Sequence, residues 1–320
     1  MAFFFRKDKE TRRAEKVQKQ AEYVHANLPT RSPVIGLALS GGGARGFAHI
    51  GVLKAFCEAG LKFDIIAGTS AGSIVGALYS FGLPFEKMEE ASENIKVEDV
   101  RDSTFIFSTS NASNIEGILR NYIGDAMFSD LRIPFVAVAC DLVTGKEVHL
   151  DRGSVARAVS ASCCVPGIFK PVIWEDKHLI DGGIKNVLPA DVARERGADF
   201  VVSVEVNSAR GIGTDSLKTL DVFKAAMRMS LAGNGKIGLI NSDIVIFPDI
   251  SKYKSTSKQG YREMIAEGYR AAKEALPEIL KLYEKRITVH VIKDWEVKHG
   301  AVRKIWGKQK ERTEQEEKEK

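Results

Sequence analysis

No run of apolar residues in the 320-residue sequence reaches the length of about 18 that a membrane-spanning helix needs. Cysteine is scarce. The four, at positions 57, 140, 163 and 164, lack zinc-finger spacing, and the neighbours Cys163 and Cys164 are badly placed to pair with each other. They read as reduced thiols, in the core or near a site, of a cytoplasmic protein. Net charge is only +5, with no concentrated basic face interleaved with aromatics, which removes the case for nucleic acid. No His, Cys and Asp cluster has metal-ligand spacing, so no metal and no other cofactor is expected. Internal repeats are missing. Phe3-Phe4-Phe5 is too short for a signal-peptide core, and the basic residues follow it instead of preceding it.

What the sequence does have is a chain 44% hydrophobic, enough for one large α/β domain or two small ones. Its centre of organisation is Val34–Gly82, where two strand–turn–helix units stand back to back. In the second, apolar Ile65–Ala67 leads into Gly68-Thr69-Ser70-Ala71-Gly72, and Ile74, Val75, Leu78 and Tyr79 come next at helical spacing. This is the setting of a nucleophile elbow, in which a sharp turn lifts the serine Oγ out of the sheet at a helix N-terminus. The pattern G-x-S-x-G arises by chance in about 0.1 of chains this long, so its strand and helix context carries the weight. The alternative is a tight turn whose serine caps a helix.

The first unit runs from strand Val34–Leu39 through Gly41-Gly42-Gly43-Ala44-Arg45-Gly46 into a helix over about Ala44–Ala59. Gly41, Gly43 and Gly46 satisfy the dinucleotide fingerprint G-x-G-x-x-G. That motif expects an acidic residue at the far end of the next strand, whereas Asp64 precedes the strand and Ser70 comes after it. The second reading is an oxyanion hole: glycine backbone can aim several N–H donors at a developing negative charge, and Arg45 adds positive charge nearby. A surface arginine is the plainer reading of Arg45.

Taken together, S-G-G-G-A-R-G and G-T-S-A-G resemble the patatin-like phospholipase family, in the bacterial branch akin to the catalytic domain of neuropathy target esterase. Asp181-Gly182-Gly183 matches the family's other signature. The segment Ser160–Pro171 resembles its proline-bearing stretch, and Asn186 and Pro189 match residues usual just after the Asp-Gly-Gly. The likeness covers about residues 34–207. It implies a three-layer α/β/α patatin-like fold with a mostly parallel central sheet. It further implies a Ser–Asp dyad of Ser70 and Asp181, an oxyanion hole at Gly41, Gly42, Gly43 and Arg45, and lipid or fatty-acyl esters as substrates. An aspartate ordinarily titrates near 4, low for a base at neutral pH, so burial has to raise its basicity. Of the six histidines, His49 and His178 lie nearest the motifs, and both read as structural. Hydrolysis and acyl transfer share an acyl-enzyme, so the sequence does not separate them; a silent membrane-surface regulator is the rival of another class.

Residues 1–33 read as a basic amphipathic arm: an anchor on an anionic membrane at the inner face of the cell membrane, a solvated helix docked on its own domain, or a frayed terminus. Residues 34–284 are the expected catalytic domain, and 285–320 an edge strand at Ile287–Ile292 followed by a charged tail. Pro134–Asp141 is a near-continuous apolar strand, as in a parallel sheet covered on both faces, with Lys146–Leu150 as its hairpin partner. His178–Ile180 is a strand delivering Asp181, and Phe200–Val206 and Asp243–Pro248 are further core strands. Ser154–Ser160, Ala190–Arg196, Leu220–Leu231 and Gln259–Tyr283 read as helices. Val97–Asn114 suits a flap over an apolar pocket, or a short buried strand. Strands alternating with helices give three layers.

Overall fold

The computed structural model describes residues 33–94, 113–207, 222, 229, 234–255 and 257–298. The arm up to residue 32, residues 97–112 of the segment read as a flap, most of the Leu220–Leu231 helix and the charged tail lie outside the described residues. Val34–Leu282 form one compact unit.

The unit is built on an eight-stranded sheet: β1 Ile35–Leu39, β2 Ile65–Thr69, β3 Phe135–Asp141, β4 Glu147–Leu150, β5 Val172–Trp174, β6 Lys177–Asp181, β7 Phe200–Val204 and β8 Ile244–Ile246. β1 lies between β2 and β7, all parallel, and β3 and β8 extend the parallel set on either side. β4 and β6 run antiparallel to β3, and β5 antiparallel to β6. β1, β2, β3 and β7 are buried at every position, as a sheet covered on both faces requires.

The helices are α1 Phe47–Glu58, α2 Ala71–Phe81, α3 Phe85–Asn94, α4 Ser113–Ile123, α5 Val155–Ser162, α6 Ala190–Glu195 and α7 Tyr261–Lys298, with a further helical stretch at 234–241. The alternation of strand side chains explains the layers. Ala38, Ala67, Val136, Val138 and Val201 point to one face and pack with Ala190, Val192 and Ala193 of α6. Leu39, Ile66 and Phe135 point to the other, where Gly76 of α2 comes so close that an added Cβ would lie 2.9 Å from the Phe135 ring. Each fully buried Leu, Ile or Val contributes roughly 1.5–3 kcal/mol, so the two faces together supply most of the driving force. α2 ends where expected: Gly82 takes φ 88 and Pro84 cannot continue the helix.

The expected edge strand at Ile287–Ile292 has to be corrected, because these residues are helical and belong to α7. Their β-branched side chains are carried into helix by propagation from the turns before them, which is easier than starting a new element.

Strand register brings two strand ends together beside β3. Val138 pairs with Thr69 of β2 and with His149 of β4, so β2 and β4 flank β3 on opposite sides. Ala139 pairs with Val148 of β4 and with Asp181 of β6, so β6 lies on the β2 side. β2 and β6 therefore share one edge of β3 and meet there end to end, the first finishing at Thr69 and the second at Asp181.

Candidate active site

Ser70 stands at that junction. It caps α2 with φ 51 and ψ −121, a left-handed conformation that a side chain adopts at a cost of about 1–3 kcal/mol. Several contacts hold it there. Ser70 N–H donates to Ser162 Oγ at 2.9 Å, and Ser162 Oγ–H donates to Val138 C=O at 2.6 Å, tying the elbow to β3. The Ser70 carbonyl accepts from Ser73 Oγ at 2.6 Å and from Ser73 N–H at 2.8 Å. Behind the elbow, α2 rests on β1 because residue 72 is glycine: an added Cβ would lie 2.2 Å from the Leu39 carbonyl oxygen.

Asp181, at the end of β6, is 6% exposed. Its Oδ1 accepts Gly183 N–H at 2.8 Å, and the Ser70 side chain lies near enough to favour its charged form. Burial pushes the carboxyl up to about 6, against the pull of Ser70 and Gly183. Neither candidate histidine joins this pair. His49 is fully buried, its Nε2 lies 2.9 Å from the Ser40 carbonyl oxygen, and burial pushes it down to about 4. His178 is exposed on β6.

The glycine turn also faces Ser70: a Cβ added at Gly41 would be 3.4 Å from Ser70 Cβ. Its donors are unequal, however. Gly41 N–H is committed to the Val187 carbonyl at 2.9 Å, and Ala44 N–H to Ser255 at 2.8 Å. Among the described residues, the N–H groups of Gly42 and Gly43 find no partner. Arg45 is half-buried, and its Nε donates to the Tyr253 carbonyl at 2.9 Å, so it fastens the loop before α7 to the turn. Of the four positions read as an oxyanion hole, two thus offer free amides.

Of two neighbours of Ser70, sequence reasoning missed one and read the other only as a core or near-site thiol. Ser162 received no role, although it anchors the elbow. Cys163 is buried, with Sγ 3.7 Å from Ser73 Oγ and near Ser70, within the field of the Asp181 carboxylate; burial pushes the thiol up, so it stays neutral. Cys140 and Cys164 are buried too, whereas Cys57 is exposed. No group of His, Cys, Asp or Glu among the described residues could hold a metal ion. No helix among them is long and apolar enough to cross a membrane.

An elbow serine beside a buried aspartate and a glycine turn agrees with the family match, which runs over residues 37–194. The chain carries a patatin-like phospholipase domain. This patatin-like domain is 39% identical over 184 residues to patatin-like phospholipase domain-containing protein 6 of mouse, covering 54% of this chain and 14% of that protein. It is 35% identical over 185 residues to an uncharacterized NTE family protein of Mycobacterium tuberculosis, covering 56% of this chain and 50% of the relative. The alignments thus span half or less of these relatives. Among solved structures, VipD from Legionella pneumophila shares the fold, with a TM-score of 0.51 at 14% identity over 78% of this chain and 67% of VipD.

Proposed function

We propose that the patatin-like domain is a serine acyl hydrolase of lipid acyl esters, phospholipid or lysophospholipid, with Ser70 as nucleophile and Asp181 as base. The observation that carries this reading is the meeting of β2 and β6 along one edge of β3, which sets the Ser70 elbow beside a buried carboxylate raised to about 6. At pH 7 that carboxylate is about nine-tenths ionised and is more basic than an ordinary aspartate. Ser70 Oγ attacks the ester carbonyl as its proton passes to Asp181. The oxyanion is held by the free amides of Gly42 and Gly43. Collapse expels the alcohol, which takes the proton from Asp181 and leaves an acyl-enzyme. Water, deprotonated by the same carboxylate, attacks the acyl-enzyme and releases the fatty acid and Ser70. A second lipid alcohol in place of that water would make the reaction a transfer. Fluorophosphonate treatment followed by intact-mass measurement and peptide mapping tests the reading: one adduct on the Ser70 peptide is expected. An unlabelled protein, or an adduct elsewhere, would leave a silent regulator as the better account.

The arm, residues 1–33, is proposed to place the domain, 34–284, on an anionic membrane surface. It carries Phe3–Phe5 and seven basic residues within Arg6–Lys19. Each basic residue near an anionic leaflet contributes about 1 kcal/mol. A chain starting near Arg31 is expected to sediment less with phosphatidylserine-containing vesicles, the difference shrinking in high salt, while soluble-ester turnover stays at the full-length rate. Equal sedimentation of both chains would mean that the arm is no anchor.

A further inference from the structure

Glu205 is the single charged residue in the apolar run Phe200–Val206, and it is only 7% exposed. A buried carboxyl is costly unless its oxygens are satisfied. Its partners are specific. One oxygen accepts Asn207 N–H at 2.6 Å, and the Ser40 side chain lies near enough to favour the charged form of the carboxylate.

Ser40 is the residue that leads into Gly41-Gly42-Gly43, and every polar atom it has is engaged. Its N–H donates to Val204 C=O at 3.0 Å. Its Oγ accepts Val206 N–H at 2.9 Å, next in the chain to Glu205 and near its carboxylate. Its carbonyl lies 2.9 Å from His49 Nε2. The glycine turn is clasped from the same side, because a Cβ added at Gly42 would lie 2.6 Å from Val206 Cγ2. Beyond the last ladder pair, Leu39 with Val204, the segment 205–207 therefore runs on beside the turn and fixes it.

We propose that Glu205 is a positioning residue for the oxyanion turn, acting through Ser40 to hold the free amides of Gly42 and Gly43 on the reacting carbonyl. The catalytic part of this inference rests on the acyl-hydrolase reading. The ionised carboxylate is the form that holds best, since a charged acceptor makes the stronger bond to the Ser40 hydroxyl. Burial pushes Glu205 up to about 7, so the clasp tightens as pH rises through neutrality. Among the described residues, no other charged group acts on it. Ser40 and Asn207 present a hydroxyl and an amide, the 234–241 helix presents Gly235 with Lys236 exposed, and His49, reached through Ser40, is pushed down to about 4 and stays neutral.

Glu205→Gln tests the proposal by two measurements. In kinetics on a soluble short-chain ester, wild type is expected to show kcat rising in two steps, near pH 6 from Asp181 and near pH 7 from Glu205. The variant keeps the lower step, loses the upper one, and has kcat reduced about tenfold at pH 8 with KM changed less than about threefold. In amide hydrogen exchange followed by mass spectrometry, the peptide spanning residues 40–46 exchanges about fivefold faster in the variant, with the Asp181 peptide unchanged. Ser40→Ala should reproduce both effects, and Glu205→Gln on top of it should add nothing. It also carries the test if Glu205→Gln fails to fold. Wild-type exchange in the 40–46 peptide, an intact two-step profile, or additive losses would overturn the proposal. The exchange measurement needs no turnover, so it decides the positioning even where absence of Ser70-dependent hydrolysis has sunk the functional reading.

Discussion

Ser70→Ala is expected to lower ester turnover by about three to four orders of magnitude while the protein folds normally. The size comes from the chemistry: without Oγ there is no acyl-enzyme, and the residual route is water attack assisted by the Gly42 and Gly43 amides. Normal folding comes from the contacts. The bonds that hold the elbow use the Ser70 backbone, N–H to Ser162 and C=O to Ser73, and alanine keeps both. The strained φ of 51 also stays, so Ser70→Gly should be the more stable of the two inactive variants. Turnover of a short-chain ester and a thermal melt check this directly. Activity within tenfold of wild type in Ser70→Ala would remove the serine from the mechanism.

Asp181→Asn is expected to be almost as inactive and yet more stable than wild type at neutral pH. The activity loss, about three orders of magnitude, comes from removing the carboxylate that lies beside Ser70. The stability gain is a linkage effect. Asp181 is raised from 3.8 to about 6 by burial, so the folded protein holds its proton where the unfolded chain has released it. The carboxyl's contribution is fully present below pH 3.8 and is lost as pH rises through about 6, amounting to about 3 kcal/mol at pH 8. Asparagine escapes that loss and still offers an oxygen to Gly183 N–H. Melting curves of both proteins between pH 4 and 8 should diverge as pH rises. An asparagine variant no more stable at pH 8 than wild type would mean that Asp181 is not held in a desolvated site.

Much of this architecture is legible in the amino-acid sequence. Val34–Leu39, Pro134–Asp141 and Phe200–Val206 are apolar along most of their length, and each forms a strand buried on both faces. Ser70 and Asp181 are marked by glycines that a tight turn needs. β5 escapes such a reading because Val172–Trp174 is a three-residue edge piece, partly exposed, with no period to detect. The helical stretch at 234–241 is hidden by Gly235 and Gly238, poor helix formers that lie buried, Gly238 with its Cα close to Leu188. At the site, long-range pairing is what local patterns cannot show. Ser162 is 92 residues from Ser70, and Val206 is 166 from Ser40, and no short motif announces such bonds. The diversion of the Gly41 amide to Val187 is of the same kind.

Because β2 and β6 meet end to end along one edge of β3, the span between Ser70 and Asp181 is measured by a strand and not by a loop. The turn between β3 and β4, and the stretch from Pro166 to Pro171 before β5, can lengthen or shorten without altering that span. One residue inserted within Val138–Cys140 would instead part the two strand ends by a rise of about 3.3 Å and turn the side chains beyond it to the opposite face. Such a core passes its reactive spacing on through register, and leaves the rim of the site free to diversify toward new substrates.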